Sequence, residues 1–331
     1  TQSRDIRFEL ARVAGYRNFC NKLWNAARFV LLMTEGKALA PVGSRSDNVV
    51  DRWIVSRLGT ALRTTERGFA DYRFDQAATA LYEFTWHEFC DWYLELAKPV
   101  LQGEDEVAAQ GTRRTLLTVL ETLLRALHPL MPFITDEIWR RVAPLAGATG
   151  ETVMLAPWPE AAALPEDPAA AADVDWLKGV ILGFRQIRGE MDISPARRLE
   201  PLVREASASD TERFARHAPL LSRLAGIDGA RMLAGTEVAP PSASAVFGEM
   251  TLLVPMQGLI DPAAELVRLT KKREKNDQEI TRARAKLGNP NFVNHAPAEV
   301  VATERERIAQ FEKVNESLAR QIAIVQGLVG S

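Results

Sequence analysis

The 331 residues include only two cysteines, Cys20 and Cys90, and four histidines. So few exclude a disulfide framework and a four-cysteine zinc site, and they suit a reducing compartment. His87 and Cys90 stand one helical turn apart, but two ligands make no metal site. No apolar run reaches the roughly 20 residues needed to cross a bilayer, and no signal peptide is expected. Catalytic signatures are missing as well. There is no G-x-G-x-x-G, no P-loop and no Ser-His-Asp spacing, so an unrecognised hydrolase has no nucleophile and base to work with. Nor is there an excess of either charge, since the formal net value is −2. The chain opens Thr-Gln-Ser-Arg without Met, and it is expected to be a piece of something longer.

The near-neutral total hides an uneven distribution. Residues 1–40 hold seven Lys/Arg and three acids, a net of +4, whereas residues 82–106 hold seven acids and only Lys98, a net of −6. Apolar content of 47% and charged content of 25% are ordinary for a globular chain. The length suits two or three domains.

The basic part contains R-N-F-C-N-K-L-W-N-A-A-R-F-V-L, residues 17–31. At about 100° per residue, Phe19, Cys20, Leu23, Trp24, Ala26, Ala27, Val30 and Leu31 share one arc. Arg17, Asn18, Asn21, Lys22, Asn25 and Arg28 share the other, and Phe29 falls among them. The apolar arc predicts a helix packed into a core. Cations, amides and an aromatic on the opposite arc suit single-stranded nucleic acid: charge for phosphate, amides for base edges, a ring for stacking. The plainer account is a solvated face with one exposed Phe.

Further helices are expected at about 51–71, at 76–99 with Asp75 as N-cap, at 112–127, and after Pro132 through Trp139. Together they form a helical bundle. Trp24, Trp53, Trp86, Trp92 and Trp139 are expected in its core. Ala161 to Ala172 reads as a linker or a weakly fixed helix. Asp175 to Met191 is another amphipathic helix. Residues 199–205 and 248–255 look like short strands with a helix, Phe214 to Leu224, between them. From Asp261, Leu266, Arg273, Ile280 and Leu287 recur every seven residues, with Leu269, Asn276 and Ala283 offset. A second series follows: Val301, Ile308, Asn315, Ile322 and Val329, with Phe311, Leu318 and Val325 between. Two heptad helices joined by a short turn make an antiparallel coiled-coil hairpin, with Asn276 and Asn315 fixing register. The first arm, 261–287, has eight cations and five acids; the second, 297–329, has four and five. That stripe is either a phosphate-binding edge or a solvated exterior.

R-N-F-C-N-K-L-W-N-A-A-R-F-V (17–30) resembles the anticodon-binding helix of the valyl-tRNA synthetases. F-D-Q-A-A-T-A-L-Y-E-F-T-W-H-E-F-C-D-W-Y-L-E-L-A-K-P (74–99) and L-H-P-L-M-P-F-I-T-D-E-I-W (127–139) resemble later pieces of the same domain. N-P-N-F-V-N-H-A-P (289–297) is similar to the turn of that family's C-terminal coiled coil. The first three motifs are shared in part with the isoleucyl, leucyl and methionyl enzymes. The terminal hairpin is the valyl pattern, whereas the isoleucyl type commonly ends in a cysteine zinc module.

The resemblance implies a mainly α chain: an anticodon-binding bundle over 1–160, a linker and small α+β module over 161–258, and a tRNA-binding coiled-coil hairpin over 259–331. It implies a tRNA-holding C-terminal part with no catalytic residue, no metal and no cofactor of its own. H-I-G-H-like and K-M-S-K-S-like signatures are missing, so ATP with Mg, valine activation and editing belong to upstream domains of the parent chain. The expected partner is the tRNA for valine, without DNA or membrane, and the protein is expected to be a cytoplasmic monomer. By position Lys22 and Phe29 match family residues at the anticodon; Arg12 matches across a one-residue gap. Arg17, Asn18, Asn21, Asn25 and Arg28 join them from the wheel. Lys271, Lys272, Arg273, Lys275, Arg282 and Lys286 are the candidates for the tRNA corner. The alternative is a helical scaffold whose coiled coil binds another protein.

Overall fold

The computed structural model describes residues 10–259, 261–289 and 298–329. They form two compact units, Thr1–Trp176 and Leu177–Ser331. The division falls inside one long helix, past the boundary expected at 160, and the α+β module and the hairpin share the second unit.

The first unit is the expected helical bundle. Its elements are α1 (Leu10–Thr34), α2 (Val49–Ala70), α3 (Phe74–Glu83), a π-helical stretch (Phe84–Tyr93), α4 (Leu94–Leu101), α5 (Glu106–Leu127) and α6 (Pro132–Ala146). Local chemistry sets the ends. Asn48 accepts from the Val50 N–H at 2.8 Å and opens α2; Asp105 accepts from Ala108 and opens α5 six residues before the expected start at Thr112. Pro132 sits in the first turn of α6, and Gly147 ends it in the left-handed region at φ 84°. Asp75 is not the N-cap expected of it. It lies in the first turn of α3, and its carboxylate takes two bonds from the guanidinium of Arg73, at 3.0 and 2.9 Å.

Leu23, Val30, Trp53, Ile54, Leu58, Leu81, Phe89, Leu96, Leu116, Leu120 and Trp139 fill the core. Each such side chain stabilises the fold by roughly 1.5–3 kcal/mol on burial. Gly68 lets α2 touch α3 backbone to backbone, because a Cβ there would stand 2.8 Å from the Ala77 nitrogen. Arg114, buried in α5, ties down the chain between α1 and α2 by donating to the Ala40 carbonyl at 2.8 Å, and reaches the Leu145 carbonyl at 2.9 Å. Trp139 donates to Glu121 at 2.9 Å, joining α6 to α5.

Residues 161–172 are more ordered than a linker. They comprise a single 3-10 turn, Ala161–Ala163, and the start of α7 (Pro168–Glu190). Asp167 caps α7 through the Ala170 N–H at 2.8 Å and takes a bond from Arg52 at 2.9 Å.

In the second unit, a four-stranded sheet in the order β2-β1-β4-β3 lies among helices. β1 (Leu202–Arg204) and β4 (Met250–Pro255) fall within the expected strand segments; β2 (Arg231–Met232) and β3 (Ser242–Phe247) were not expected. β3 and β4 form an antiparallel hairpin around Gly248, whose φ is 59°. The helix expected over Phe214–Leu224 is two, α8 (Ala208–Arg216) and α9 (Ala218–Ala225), broken at His217 and restarted by Pro219. The second half of α7 carries glycines under the sheet: a Cβ on Gly179 would overlap the Phe247 ring, and one on Gly183 would come within 2.6 Å of Leu252.

The heptad arms are α10 (Pro262–Leu287), capped by Asp261, and α11 (Ala298–Val329). Their seam buries Leu269, Ile280, Ala283, Val301, Leu318 and Val325. Arg273, although in the seven-residue series, is exposed. Asn276 and Asn315 are both half-buried; Asn315 donates to Asp277 at 2.6 Å. The turn at 290–297 lies outside the described residues.

Candidate nucleic-acid interface

α1 leaves most of its polar arc to solvent. Arg17, Asn18, Asn21, Asn25 and Arg28 are all exposed, and none has a hydrogen bond or ion pair to a described residue. Side chains of this kind, without partners, are free to meet phosphates and base edges. Arg12 lies on α1, but its side chain is outside the described residues.

Lys22 and Phe29 stand apart from these five. Both are half-buried on a flank of α1. Lys22 is ion-paired with Asp91 and sits over the Trp86 ring at 4.1 Å from its centroid. Phe29 has the Lys98 ammonium 5.6 Å from its ring centroid, and Lys98 in turn donates to Glu95 at 2.5 Å.

Trp24 is a correction to the expected core: it is 39% exposed. The buried arc of α1 centres on Leu23, Ala27 and Val30, and Trp24 lies about 100° round from Leu23, past the edge of what the neighbouring helices cover. Trp53 and Trp139 are buried, while Trp86 and Trp92 are half-buried.

The partners of Lys22 come from the π-helical stretch, where each hydrogen bond spans one residue more than in an α-helix, a departure frequent at functional sites. Trp86 is stacked with Tyr82 at 5.7 Å and with Phe19 at 6.3 Å; Phe19 and Tyr82 stack at 5.0 Å. His87 Nδ1 is 3.3 Å from Asp91. Burial pushes the Cys90 thiol up to about 12, the nearby Lys22 charge opposing and the Asp91 charge adding to the rise. The far end of the stretch is pinned by Tyr93, whose hydroxyl donates to buried Asp51 at 2.7 Å. Asp51 also accepts from Ser46 and Thr112, each at 2.7 Å. Burial raises the Asp51 carboxyl above its ordinary range, the three hydroxyl bonds working against that rise. Burial, with the Asp51 charge, raises the Tyr93 hydroxyl too.

Tyr82, Trp86, Asp91, Glu95 and Lys98 were not among the expected site residues. For the charged ones, Asp91, Glu95 and Lys98, the signal lay in charge. The −6 of residues 82–106 complements the basic N-terminal helix, and Asp91 is one of those acids.

On the hairpin, Lys271, Lys272, Arg273, Lys275, Arg282 and Lys286 are all exposed. They fall into two groups. Lys271, Lys272, Arg273 and Lys275 form no ion pair with a described residue. Arg282 is paired with Glu279 at 2.9 Å, and Lys286 with Glu304 of α11 at 2.7 Å. Further cross-arm pairs, Arg284 with Glu312 at 2.5 Å and Arg307 with Glu279 at 2.6 Å, lie along the same half of the hairpin. Of these six cations, the two nearer the turn are held by acids, while the four without a described ion-pair partner lie together between residues 271 and 275.

Residues 51–203 match the family model described as the anticodon-binding domain of tRNA ligase. Residues 261–325 match the one described as the valyl tRNA synthetase tRNA binding arm. α1 lies outside both matched segments. Valine–tRNA ligases of Xanthomonas campestris pv. campestris, strains B100 and 8004, are each 45% identical over 310 residues, covering 93% of this chain and 33% of the relative. The chain thus spans about a third of the length of the curated relatives it matches.

Proposed function

We infer that a chain whose residues 51–203 belong to the anticodon-binding domains of tRNA ligases, and whose residues 261–325 belong to the valyl tRNA synthetase tRNA binding arms, holds the tRNA for valine at two places. The bundle meets the anticodon with the polar face of α1, and the hairpin meets the tRNA corner through phosphates. The observation that carries this reading is that exposed side chains without described side-chain partners, Arg17 and Arg28 on α1 and Lys271, Lys272, Arg273 and Lys275 on α10, lie in the bundle that holds most of the first matched segment and on the arm that forms the second. Unpaired cations release counterions when they meet a phosphate backbone, which is the main source of affinity for nucleic acid. The match of the hairpin to a tRNA binding arm favours RNA over a protein partner for that arm.

On this reading the parent enzyme joins valine to tRNA with ATP and Mg bound on its upstream domains, acts in the cytoplasm as a monomer, and uses this part for recognition. The test compares binding of a tRNA bearing a valine anticodon with the same tRNA bearing another, at two salt concentrations, alongside valine-dependent pyrophosphate exchange. The expected result is salt-sensitive binding with a preference for the valine anticodon and no exchange. Equal binding of both tRNAs overturns the anticodon reading, and exchange by this chain overturns the assignment of chemistry to the upstream part.

A further inference from the structure

Among the described cations on the polar arc of α1, Lys22 differs in having a carboxylate. Arg17 and Arg28 are exposed and meet no described partner. The Lys22 ammonium meets Asp91 on one side and the Trp86 ring on another, 4.1 Å from its centroid. Its side chain is 26% exposed and that of Asp91 39%. Trp86 is itself held in place, stacked with Tyr82 and Phe19. The second Asp91 oxygen faces His87 Nδ1 at 3.3 Å, and His87 Nε2 faces Glu83 at 3.5 Å.

An ammonium has three donors and no acceptor. With one directed at Asp91 and a ring covering part of the remainder, the direction of the free N–H is restricted. The charge is also balanced. A free lysine beside RNA behaves as a point charge that binds phosphate whatever the sequence. A lysine beside a carboxylate gains less from phosphate, and the carboxylate repels the backbone. What such a lysine keeps is a donor aimed at a base edge, the kind of interaction that specifies sequence.

We propose that Asp91 is a positioning residue that withholds Lys22 from phosphate and aims it at a base of the anticodon, with Trp86 as the floor beneath it. The proposal rests on the anticodon reading above and adds the device that makes Lys22 discriminating. A salt bridge added only for stability would leave discrimination untouched when removed. A charge-balancing one, when removed, converts a reader into a phosphate binder.

The experiment uses the 331-residue chain with Asp91→Asn, Asp91→Glu, Lys22→Ala and the Lys22→Ala/Asp91→Asn double variant. Binding of the valine-anticodon tRNA and of its anticodon-swapped counterpart is measured across a salt series. For Asp91→Asn the swapped tRNA should bind several-fold tighter than to the wild type, and the ratio between tRNAs should fall towards one. The log–log salt slope should steepen by about 0.7 to 0.9, the value for one further phosphate neutralised. Asp91→Glu should restore the ratio. Lys22→Ala should lower the ratio without steepening the slope, and the double variant should behave like Lys22→Ala. If Lys22→Ala lowers the ratio while Asp91→Asn leaves ratio and slope as in the wild type, the positioning role is overturned and the anticodon reading stands. A wild type that does not discriminate overturns both.

Discussion

The Lys98 ammonium stands 5.6 Å from the centroid of the Phe29 ring. Lys98 is the single Lys or Arg of the acidic segment 82–106, and it comes from α4 while the ring comes from α1. A cation on one face of an aromatic ring is favourable electrostatically and helps hold the ring in place. On the reading proposed above, a base would stack on a ring that Lys98 already helps to hold, rather than on a freely rotating Phe.

Phe29→Ala tests this directly. Because the ring is half-buried, thermal or denaturant unfolding should show a loss of about 1 kcal/mol, below the roughly 3–5 kcal/mol typical of a core Phe. Binding of a tRNA with the valine anticodon should weaken by roughly 1–3 kcal/mol if a base stacks there. A strongly destabilised variant returns Phe29 to the core. A stable variant with unchanged binding leaves it an ordinary surface aromatic.

The division of the hairpin cations leads to a second expectation. Replacing Lys271, Lys272 and Lys275 together by Gln should weaken all tRNAs alike. It should also flatten the salt dependence by up to about 0.9 for each phosphate no longer neutralised. Replacing Arg282 and Lys286 should act more on hairpin stability than on the slope, because Glu279 and Glu304 already hold them. Exposed pairs of this type contribute at most about 1 kcal/mol each. A change in discrimination between tRNAs with an unchanged salt slope would show that the arm reads bases.

Asp51 carries the pH prediction. Its folded-state carboxyl lies above the ordinary value of 3.8 because burial disfavours the charge. The contribution of a group shifted this way is fully present below 3.8 and is lost as pH rises through the folded value. Denaturant unfolding of the wild type and of Asp51→Asn should therefore be compared across acid to neutral pH. The wild type should lose ground to the Asn variant as pH rises through that range. A wild type that gains on it instead would mean that the hydroxyls of Ser46, Tyr93 and Thr112 outweigh burial. Asp51→Ala leaves those hydroxyls without their acceptor and should cost about 2–4 kcal/mol at neutral pH.

Periodicity made the architecture legible from the sequence. The apolar arc of residues 17–31, the leucines of α5 and the seven-residue recurrence of the hairpin are local patterns, and burial obliges each to form one kind of element. β2 and β3 escaped because two residues, or a Ser/Ala-rich run such as S-A-S-A-V-F, carry too little apolar alternation to declare a strand. Their pairing with β1 and β4 supplies what local propensity does not.

The sequence by itself determined which side chains share the polar face of α1 and which cations share an arm of the hairpin, because a helix sets angular position from spacing alone. Tertiary structure decided which of them are free. Lys22 and Arg28 look alike on a wheel, yet Lys22 meets Asp91 and Trp86 from a π-helical stretch more than sixty residues away, and Arg28 meets no described partner. Lys271 and Lys286 belong to one basic arm, yet Lys286 faces Glu304 across the seam and Lys271 faces solvent. Trp24 shares the apolar arc with Leu23, yet it is left 39% exposed while Leu23 is fully covered. Spacing along a chain fixes direction around a helix axis; only the packing of a second element decides what lies in that direction.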